Sequence, residues 1–231
     1  MRIAIYTLTR DRLEYTKHCF AVLREKAGYP FDHYVVDNGS RDGTGLWLIG
    51  EHTEKRIRAI RLNGKNEGIA RGCNQAIETI LSAPEPYDLI IKFDNDSEVV
   101  NENILSCVVN VYEQIPEDER DDFILAPRDE GIVKQQPRHE YYHLGGWRIG
   151  RPTMVGGRFM VVPAEIYKTY RFPDTIPLAR GADSALSHWH YKRSGRLGYI
   201  EDLVVNHYET TDGQARRYPE YFARKREEEK A

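Results

Sequence analysis

The chain has 231 residues, of which 40% are hydrophobic. That length provides one sizeable hydrophobic core and requires no second domain. Thirty-three basic residues stand against 36 acidic ones, a formal net charge of −3, so no overall field favours nucleic acid or an anionic membrane as the main partner. Any anionic ligand must be held by local groups.

The cysteines and the N-terminal residues bear on the cellular compartment. Cys19, Cys73 and Cys107 are widely spaced and form no Cys-x-x-Cys pair. They are expected to be small core residues on helices rather than disulfide partners or zinc ligands. The apolar stretch at residues 3–8 is too short for a signal peptide or a membrane span. A cytoplasmic protein is expected, and peripheral attachment to a membrane stays open.

The first hundred residues alternate between β-rich runs and helical patterns, which is typical of βαβ units. Strands are predicted at residues 2–8, 33–37, 57–62 and 89–93. Apolar residues recur at helical spacing over residues 13–27, before Gly28, and over residues 69–81. These patterns predict an α/β fold with four parallel strands, whose following loops lie on one edge of the sheet.

The later part of the chain predicts a helix at residues 102–115 and a strand at residues 123–126. The aromatic and glycine-rich segment 135–157 is expected to form strands and loops around a pocket. Further predictions are a strand at 158–162, a helix from Pro163, a helix at 182–194 and a last strand at 197–205. The tail, residues 210–231, begins with a predicted Thr-Asp-Gly turn, ends in a charge-dense helix and is expected to be mobile.

Two aspartates directly follow the fourth predicted strand. Asp94 and Asp96 flank Asn95 and come after the largely apolar run at residues 87–93. A buried strand that ends in two carboxylates presents oxygen ligands at the carboxyl edge of a sheet, where α/β proteins bind ligands. The pattern predicts a divalent cation that holds a diphosphate, and a polar turn that closes the strand is the alternative.

A turn rich in Asp, Asn and Gly follows the second strand, at residues 37–44. Such residues form strand-to-helix connections without any further role. The turns after the first, second and fourth strands of a parallel sheet nevertheless converge. Thr7, Asp37 and Asp94 are therefore expected to line one cleft.

The order of these motifs resembles family 2 glycosyltransferases of the GT-A fold. The resemblance is carried by residues 6–10, the turn at 37–44, Asn66-x-Gly68-x-Ala70-Arg71, Asp94-x-Asp96, and residues 156–160, 181–184 and 205–207. Each motif is weak alone, and their order and spacing carry the resemblance. It implies a Rossmann-like mixed central sheet flanked by helices. It also implies a single domain at residues 1–209, with a nucleotide-sugar-binding half at 1–100 and an acceptor and catalytic half at 101–209.

The resemblance implies a donor site for a nucleotide sugar. Asp37 and Asn38 would receive the base, usually uracil in the family, with Thr7 and Arg10 against the base and ribose. Asn38 stands where many relatives carry aspartate, and its amide oxygen accepts the same hydrogen bond from uracil N3–H. A UDP-sugar is therefore the expected donor.

The start of the third helix is the expected phosphate site. A helix N-terminus favours anions, Gly68 permits close backbone approach, and Arg71 is a bidentate donor, with Asn66 beside them. An N-capped helix with a solvent-facing Arg71 is the alternative. By the same resemblance, Asn95 and Gly157 belong to the donor site.

The resemblance also implies a metal site. Asp94 and Asp96 match the family's Asp-x-Asp signature, in which the last aspartate ligates Mn²⁺ or Mg²⁺ and the first contacts ribose or metal. His207, at the end of the last predicted strand, resembles a third ligand, and an imidazole favours Mn²⁺. A structural histidine after a strand is the alternative.

Asp183 is the implied catalytic base. Family members place an acidic pair near this point, and in this chain Ala182 replaces the first acid. One carboxylate suffices to take the proton of an acceptor hydroxyl in an inverting single displacement. The alternative role of Asp183 is the N-cap of the following helix.

The sequence therefore predicts a metal-dependent, inverting and non-processive hexosyltransferase that uses a nucleoside diphosphate sugar. Its acceptor stays open among a glycan, a lipid-linked saccharide, a protein, a small metabolite and a modified nucleic-acid base. A retaining mechanism, a nucleotidylyltransferase and a non-catalytic nucleotide-sugar or glycan-binding module are the alternatives. A nucleotidylyltransferase normally carries a glycine-rich basic loop after its first strand, and residues 6–10 lack that glycine.

Overall fold

The computed structural model describes residues 1–129, 140–176 and 181–228. The strands are β1 (Ile3–Thr9), β2 (Asp32–Asp37), β3 (Ala59–Leu62), β4 (Leu89–Phe93), β5 (Ser97–Val99), β6 (Phe123–Arg128), β7 (Tyr141–Leu144), β8 (Trp147–Gly150), β9 (Phe159–Pro163) and β10 (Arg196–His207). The α-helices are α1 (Leu13–Lys26), α2 (Thr44–Thr53), α3 (Ile69–Leu81), α4 (Ile104–Glu113), α5 (Ala164–Thr169), α6 (Ala182–Tyr191), α7 (Thr211–Arg217) and α8 (Pro219–Glu228). A short 3₁₀ helix spans Glu117–Asp122.

The strands form one mixed sheet in the order β3-β2-β1-β4-β9-β6-β10-β8-β7, with β5 paired to β10. Strands β1 to β4 are parallel, as predicted. Strand β9 runs antiparallel between β4 and β6, and β10 is parallel to β6. The carboxyl ends of β1, β2, β4, β6 and β10 therefore share one edge of the sheet with the amino end of β9.

Helices cover both faces of this sheet, so the predicted α/β class and the flanked mixed sheet are confirmed. Helices α3, α5 and α6 pack on one face, and α1 and α4 pack on the other. Helix α3 buries Ala70, Cys73, Ala76, Ile77 and Ile80, which recur at helical spacing. Burial of such an apolar stripe stabilises a helix more than its intrinsic propensity does.

Several predicted boundaries differ from the observed ones. The strand predicted at residues 57–62 begins at Ala59, and the last strand is longer than predicted and ends at His207. Strand β5 was not predicted, because three residues are too few for a periodic pattern; it pairs antiparallel with the end of β10. Residues 135–139 of the aromatic segment lie outside the described residues, and β7 and β8 form a hairpin.

The predicted Thr-Asp-Gly turn in the tail is wrong. Thr211, Asp212 and Gly213 form the first turn of α7. Thr210 stabilises that start, since its hydroxyl accepts the backbone N–H of Gly213 at 3.2 Å. Helix α8 is the predicted charge-dense helix, residues 229–231 lie outside the described residues, and the mobility of the tail stays a prediction.

All three cysteines lie on helices as free thiols, as predicted. Cys19 and Cys73 are buried, and burial raises the pKa of the Cys73 thiol to about 12. A thiol with so high a pKa is a poor nucleophile. In the described ranges, none of the helices is long and apolar enough to cross a membrane.

His33 on β2 makes the fold sensitive to acid. It is buried, and its Nε2 lies 3.1 Å from the hydroxyl of Thr7. Burial, with a smaller effect of Arg24, lowers the pKa of His33 to about 3. Between the unfolded value of about 6.5 and this folded value, the unfolded chain binds more protons, so stability falls as the pH falls.

We therefore expect the free energy of unfolding to fall by roughly 3 kcal/mol more in the wild type than in His33→Gln between pH 7 and pH 4. Glutamine retains a polar group for Thr7 but does not titrate. Urea denaturation at several pH values in that window measures the difference. Identical pH profiles for the two proteins would contradict the role of His33.

Candidate active site

A cleft of about 200 Å³ opens at the carboxyl edge of the sheet. It lies between the end of β1, the turn after β2, the start of α3 and the turn after β4. The turn after β4, residues 94–96, is called the acidic turn below. Its lining includes Arg10, Asn38, Asn66, Asp94, Asp96 and Tyr221. The structure thus brings together several side chains of the predicted donor and metal sites, as the topology of the parallel strands required.

Thr7 and Asp37 do not line this cleft, contrary to the prediction. Thr7 is fully buried against His33. Leu8, Thr9 and Arg10 lie nearer the carboxyl end of β1 than Thr7, and these three residues line the cleft. The Asp37 carboxylate accepts hydrogen bonds from the Thr9 hydroxyl at 2.8 Å and the backbone N–H of Ser40 at 2.9 Å. Asp37 therefore stabilises the turn after β2.

Asn38 links that turn to α3. Its Nδ2 donates to the Gly68 carbonyl at 3.2 Å, and its Oδ1 accepts a hydrogen bond from Asn63 at 3.0 Å. The oxygen predicted to accept uracil N3–H therefore has an internal partner in this structure. Gly68 precedes α3 with φ of +85°, a conformation that side chains disfavour.

Arg10 and Asn66 border the cleft and share a partner on the C-terminal helix. Arg10 forms an ion pair with Glu228, and Asn66 Nδ2 donates to Glu228 Oε2 at 2.7 Å. The backbone N–H of Gly68 donates to Asn66 Oδ1 at 3.1 Å, which fixes the loop before α3. These two predicted donor-site residues are thus brought together by α8.

Arg71 lies at the surface, away from the cleft. Its side chain is 65% exposed and forms an ion pair with Glu67 at 2.9 Å, one helical turn earlier. It borders a separate groove that also includes Asp174. An exposed pair of this kind contributes little to stability. The structure thus agrees with the solvent-facing alternative, and a phosphate contact by Arg71 stays a prediction.

The two aspartates after β4 each contact a buried cation. Asp96 Oδ2 accepts a hydrogen bond from Arg12 at 2.8 Å, and Asp94 pairs with Lys92. Burial favours the neutral carboxyl, but Arg12 and His207 outweigh it and lower the pKa of Asp96 to about 2. Burial raises the pKa of Asp94 despite the opposing charge of Lys92. The acidic turn therefore holds two carboxylates in different electrostatic environments.

Arg12, a central cation of the cleft, was not identified from the sequence. It is only 7% exposed and also donates to Asn95 Oδ1 at 3.2 Å and to Gln214 Oε1 at 2.7 Å. Asn95, predicted for the donor site, is itself buried and donates to Thr16 at 3.0 Å. No sequence signal marks Arg12, since a charged residue in a turn is ordinarily exposed.

Lys92 connects Gly157 with the acidic turn. This β4 side chain is buried, and its Nζ donates to the Gly157 carbonyl at 2.8 Å in addition to its pair with Asp94. Burial opposes the charged form, but Asp94 and Asp183 raise the pKa of Lys92. A lysine within an otherwise apolar strand was an available signal, because buried lysines are almost always paired.

Asp183 lies in the first turn of α6, at the same edge of the sheet. Its Oδ2 accepts the backbone N–H of Gly157 at 3.0 Å. A Cβ atom on Gly157 would lie 3.0 Å from Lys92 Nζ and 3.1 Å from Asp183 Cγ, so a side chain here would push these two groups apart by a few tenths of an ångström. The alternative role of Asp183 as N-cap is wrong, because Gly181 occupies that position with φ of +95°. The half-buried carboxylate is chemically able to accept a proton.

His207 ends β10 beside the acidic turn, where the backbone N–H of Tyr208 donates to the Asp96 carbonyl at 2.9 Å. Arg158 donates to His207 Nδ1 at 3.0 Å and also pairs with the buried carboxylate of Asp129. Burial lowers the pKa of His207, so the ring is neutral near pH 7, the form that ligates metals.

The predicted metal ligands do not form a preassembled metal site. Within the described ranges, no group of three His, Cys, Asp or Glu side chains is arranged to hold a metal ion. Two carboxylates and an imidazole fit Mn²⁺ by their chemistry. Arg12 and Lys92, however, each contact one oxygen of Asp96 and Asp94 in this structure, so a metal ion would bind at the second oxygen of each carboxylate or displace these cations.

Comparison with known proteins identifies one matching family. The model described as Glycosyl transferase family 2 matches residues 4–165, well over half of the chain. None of the curated proteins matches the chain significantly.

Solved structures of glycosyltransferases share the fold over most of this chain. Mannosyltransferase PcManGT from Pyrobaculum calidifontis, in complex with GDP-Man and Mn²⁺, has a TM-score of 0.66 at 14% identity, over 92% of this chain and 58% of that one. S. aureus TarS 1-349 with UDP-GlcNAc has a TM-score of 0.64 at 15% identity, over 89% and 58%. GalNAc-T7 with UDP, GalNAc and Mn²⁺ has a TM-score of 0.65 at 10% identity, over 89% and 43%. The chain thus spans less than two thirds of each of these structures, and the predicted GT-A fold is confirmed.

Proposed function

This chain belongs to glycosyl transferase family 2, and we propose that it transfers one hexose from a nucleoside diphosphate sugar to an acceptor hydroxyl. A UDP-sugar is the proposed donor. Mn²⁺ is the proposed cofactor, and Mg²⁺ is the proposed substitute for it. The proposed transfer inverts the configuration at the anomeric carbon of the sugar. We further propose one domain at residues 1–209, with the tail following it, and a cytoplasmic location.

The observation that carries this proposal is the cluster around Lys92. Lys92 contacts Asp94 and the Gly157 carbonyl, while Asp183 accepts the N–H of the same glycine. A proposed donor-site carboxylate and the proposed base are thereby held at one edge of the sheet. A displacement reaction at a bound sugar needs one group that binds the donor and a separate group that accepts the proton of the acceptor. Asp94 and Asp183 are proposed to fill these two roles.

The donor would bind along the cleft between β1 and α3. Asn38 is proposed to contact the base after it releases Asn63, while Thr7 and Asp37 act indirectly by fixing the strand and the turn. Arg10 and Asn66 are proposed to contact ribose and phosphate, and the N–H groups that begin α3 favour an anion.

Asp96, Asp94 and His207 are the proposed metal ligands. When bound, the cation would neutralise charge on the departing nucleoside diphosphate. The neutral imidazole and ionised Asp96 are already in the protonation states that ligation requires. Arg12 is proposed to keep the acidic turn in place through Asp96 and Asn95.

Asp183 is proposed to accept the proton of the acceptor hydroxyl. As that proton leaves, the acceptor oxygen forms a bond to the anomeric carbon, and the bond from this carbon to the diphosphate oxygen breaks. Attack opposite the leaving group inverts the anomeric configuration.

Calorimetric titration with UDP, GDP, CDP and dTDP, each with and without Mn²⁺, tests the donor and metal assignments. We expect UDP to bind tightly only in the presence of Mn²⁺ and to bind weakly in EDTA. Equal binding of UDP in EDTA would contradict metal dependence, and preferential binding of GDP would contradict the uridine assignment. Failure of all four nucleotides to bind would contradict the donor site. Binding without transfer or donor hydrolysis would favour the non-catalytic alternative.

A further inference from the structure

Helix α8 lies across the candidate donor cleft. The ring of Tyr221 packs against Arg12, with 4.6 Å from the guanidinium carbon to the ring centroid, and Lys225 also lines the cleft. Arg224 lies about one helical turn after Tyr221 and forms an ion pair with Asp11 in the loop between β1 and α1. The helix therefore forms one wall of the space that the donor would enter.

Glu228 contacts two residues that are proposed to bind the donor. It forms an ion pair with Arg10, and its Oε2 accepts a hydrogen bond from Asn66 at 2.7 Å. Carboxylate and phosphate oxygens compete for the same cationic and amide donors. Glu228 thus occupies an anion-binding position of the cleft.

The cleft is narrow while α8 is docked. Its volume is about 200 Å³, whereas pockets that enclose drug-sized ligands measure about 300–1,000 Å³. A nucleoside diphosphate sugar is at least drug-sized, so undocking of α8 would widen the space for it. The attachment of each wall of the cleft indicates which wall can move.

Helix α8 is the weakly attached wall. None of its ten residues is buried, whereas β1, β4 and α3 contribute many buried side chains to the core. Its contacts are ion pairs, one hydrogen bond and the packing of Tyr221 against arginine side chains, with no buried apolar side chain among them. Isolated helices shorter than about 12–15 residues are marginal in water, so α8 can undock without loss of the core.

We propose that α8 is an autoinhibitory plug: Glu228 holds the anion-binding position on Arg10 and Asn66, and a nucleoside diphosphate displaces α8 when it binds. This inference rests on the proposed function of the cleft. Because docking and donor binding exclude one another, the apparent donor affinity depends on the fraction of molecules in which α8 is undocked.

Glu228→Gln tests the competition directly. We expect this variant to bind UDP in the presence of Mn²⁺ at least about threefold more tightly than the wild type, because the undocked fraction rises. Glu227→Gln is the matched control, since it removes the same charge from the adjacent exposed position of α8. Arg224→Ala, which loses the pair with Asp11, is expected to tighten binding as well.

Hydrogen exchange of the wild-type chain provides an independent readout. Saturating UDP with Mn²⁺ is expected to increase the exchange rate of the α8 backbone amides while those of α3 remain protected. Protection of α8 by the nucleotide would overturn the plug and indicate a lid that closes over the ligand. Weaker or unchanged binding by Glu228→Gln would also overturn the plug. If no nucleotide diphosphate binds the wild type or any variant, the proposed donor site fails and the plug fails with it.

Discussion

Asp183→Asn is expected to lower the rate of sugar transfer by about 10²- to 10⁴-fold, the usual contribution of a positioned general base. Its dissociation constant for the donor is expected to stay unchanged. Asparagine keeps an oxygen that can accept the N–H of Gly157, which Asp183 Oδ2 now accepts at 3.0 Å. The amide cannot take the proton of an acceptor hydroxyl, so the chemical step is slowed while the local structure is kept.

The measurement pairs initial rates of transfer, or of donor hydrolysis, with donor affinity by calorimetry. Asp202→Asn is a suitable control because this aspartate is exposed on β10. A loss of donor affinity equal to the loss in rate would assign Asp183 to donor binding instead. Wild-type turnover would remove it from the reaction altogether.

The sequence could predict that the turns after β1, β2 and β4 converge on one site, because this convergence follows from the topology of the sheet. Four parallel strands place the turns after β1, β2 and β4 at one edge, whatever their side chains are. Which side chains line the cleft depends instead on how close each residue lies to the end of its strand. Thr7 is buried against His33, whereas Leu8, Thr9 and Arg10, nearer the carboxyl end of β1, line the cleft.

The contacts of the tail could not be predicted, because they join residues that are distant in the sequence. Arg12 meets Gln214, and Arg10 and Asn66 meet Glu228. Composition identifies residues 210–231 as charged but does not indicate which surface they contact. A long-range ion pair has no periodicity, so local pattern and propensity carry no information about it.

Asp96→Asn is expected to weaken the binding of UDP in the presence of Mn²⁺ at least about 100-fold, since even loss of an outer partner of a metal ligand typically costs up to about 100-fold. The amide oxygen is a weaker ligand than the carboxylate and carries no charge. Without metal, the affinity for UDP is expected to change little. Calorimetry in Mn²⁺ and in EDTA measures both values, and Asp202→Asn is again the control.

Asp96→Asn is also expected to lower the free energy of unfolding and to reduce the part of it that is lost at low pH. Arg12 keeps Asn95 and Gln214 as partners but loses its carboxylate, which we expect to cost about 2 kcal/mol. The folded pKa of Asp96, about 2, lies below the unfolded value of about 3.9. The stabilisation is therefore present above pH 4 and is lost as the pH falls towards 2. In Asp96→Asn this part of the acid sensitivity should be absent, as urea denaturation from pH 5 to pH 2.5 would show.

The effects of Asp96→Asn on nucleotide affinity and on stability distinguish two roles of Asp96. One role is to ligate the metal, and the other is to hold Arg12 in place. If Asp96 ligates the metal, nucleotide affinity falls in Mn²⁺ but not in EDTA, whatever the change in stability. If Asp96 only holds Arg12 in the cleft, affinity falls by the same factor with and without metal, and Arg12→Gln reproduces the loss. Equal losses in the two conditions would contradict the metal assignment and identify the pair of Arg12 and Asp96 as a structural support of the acidic turn.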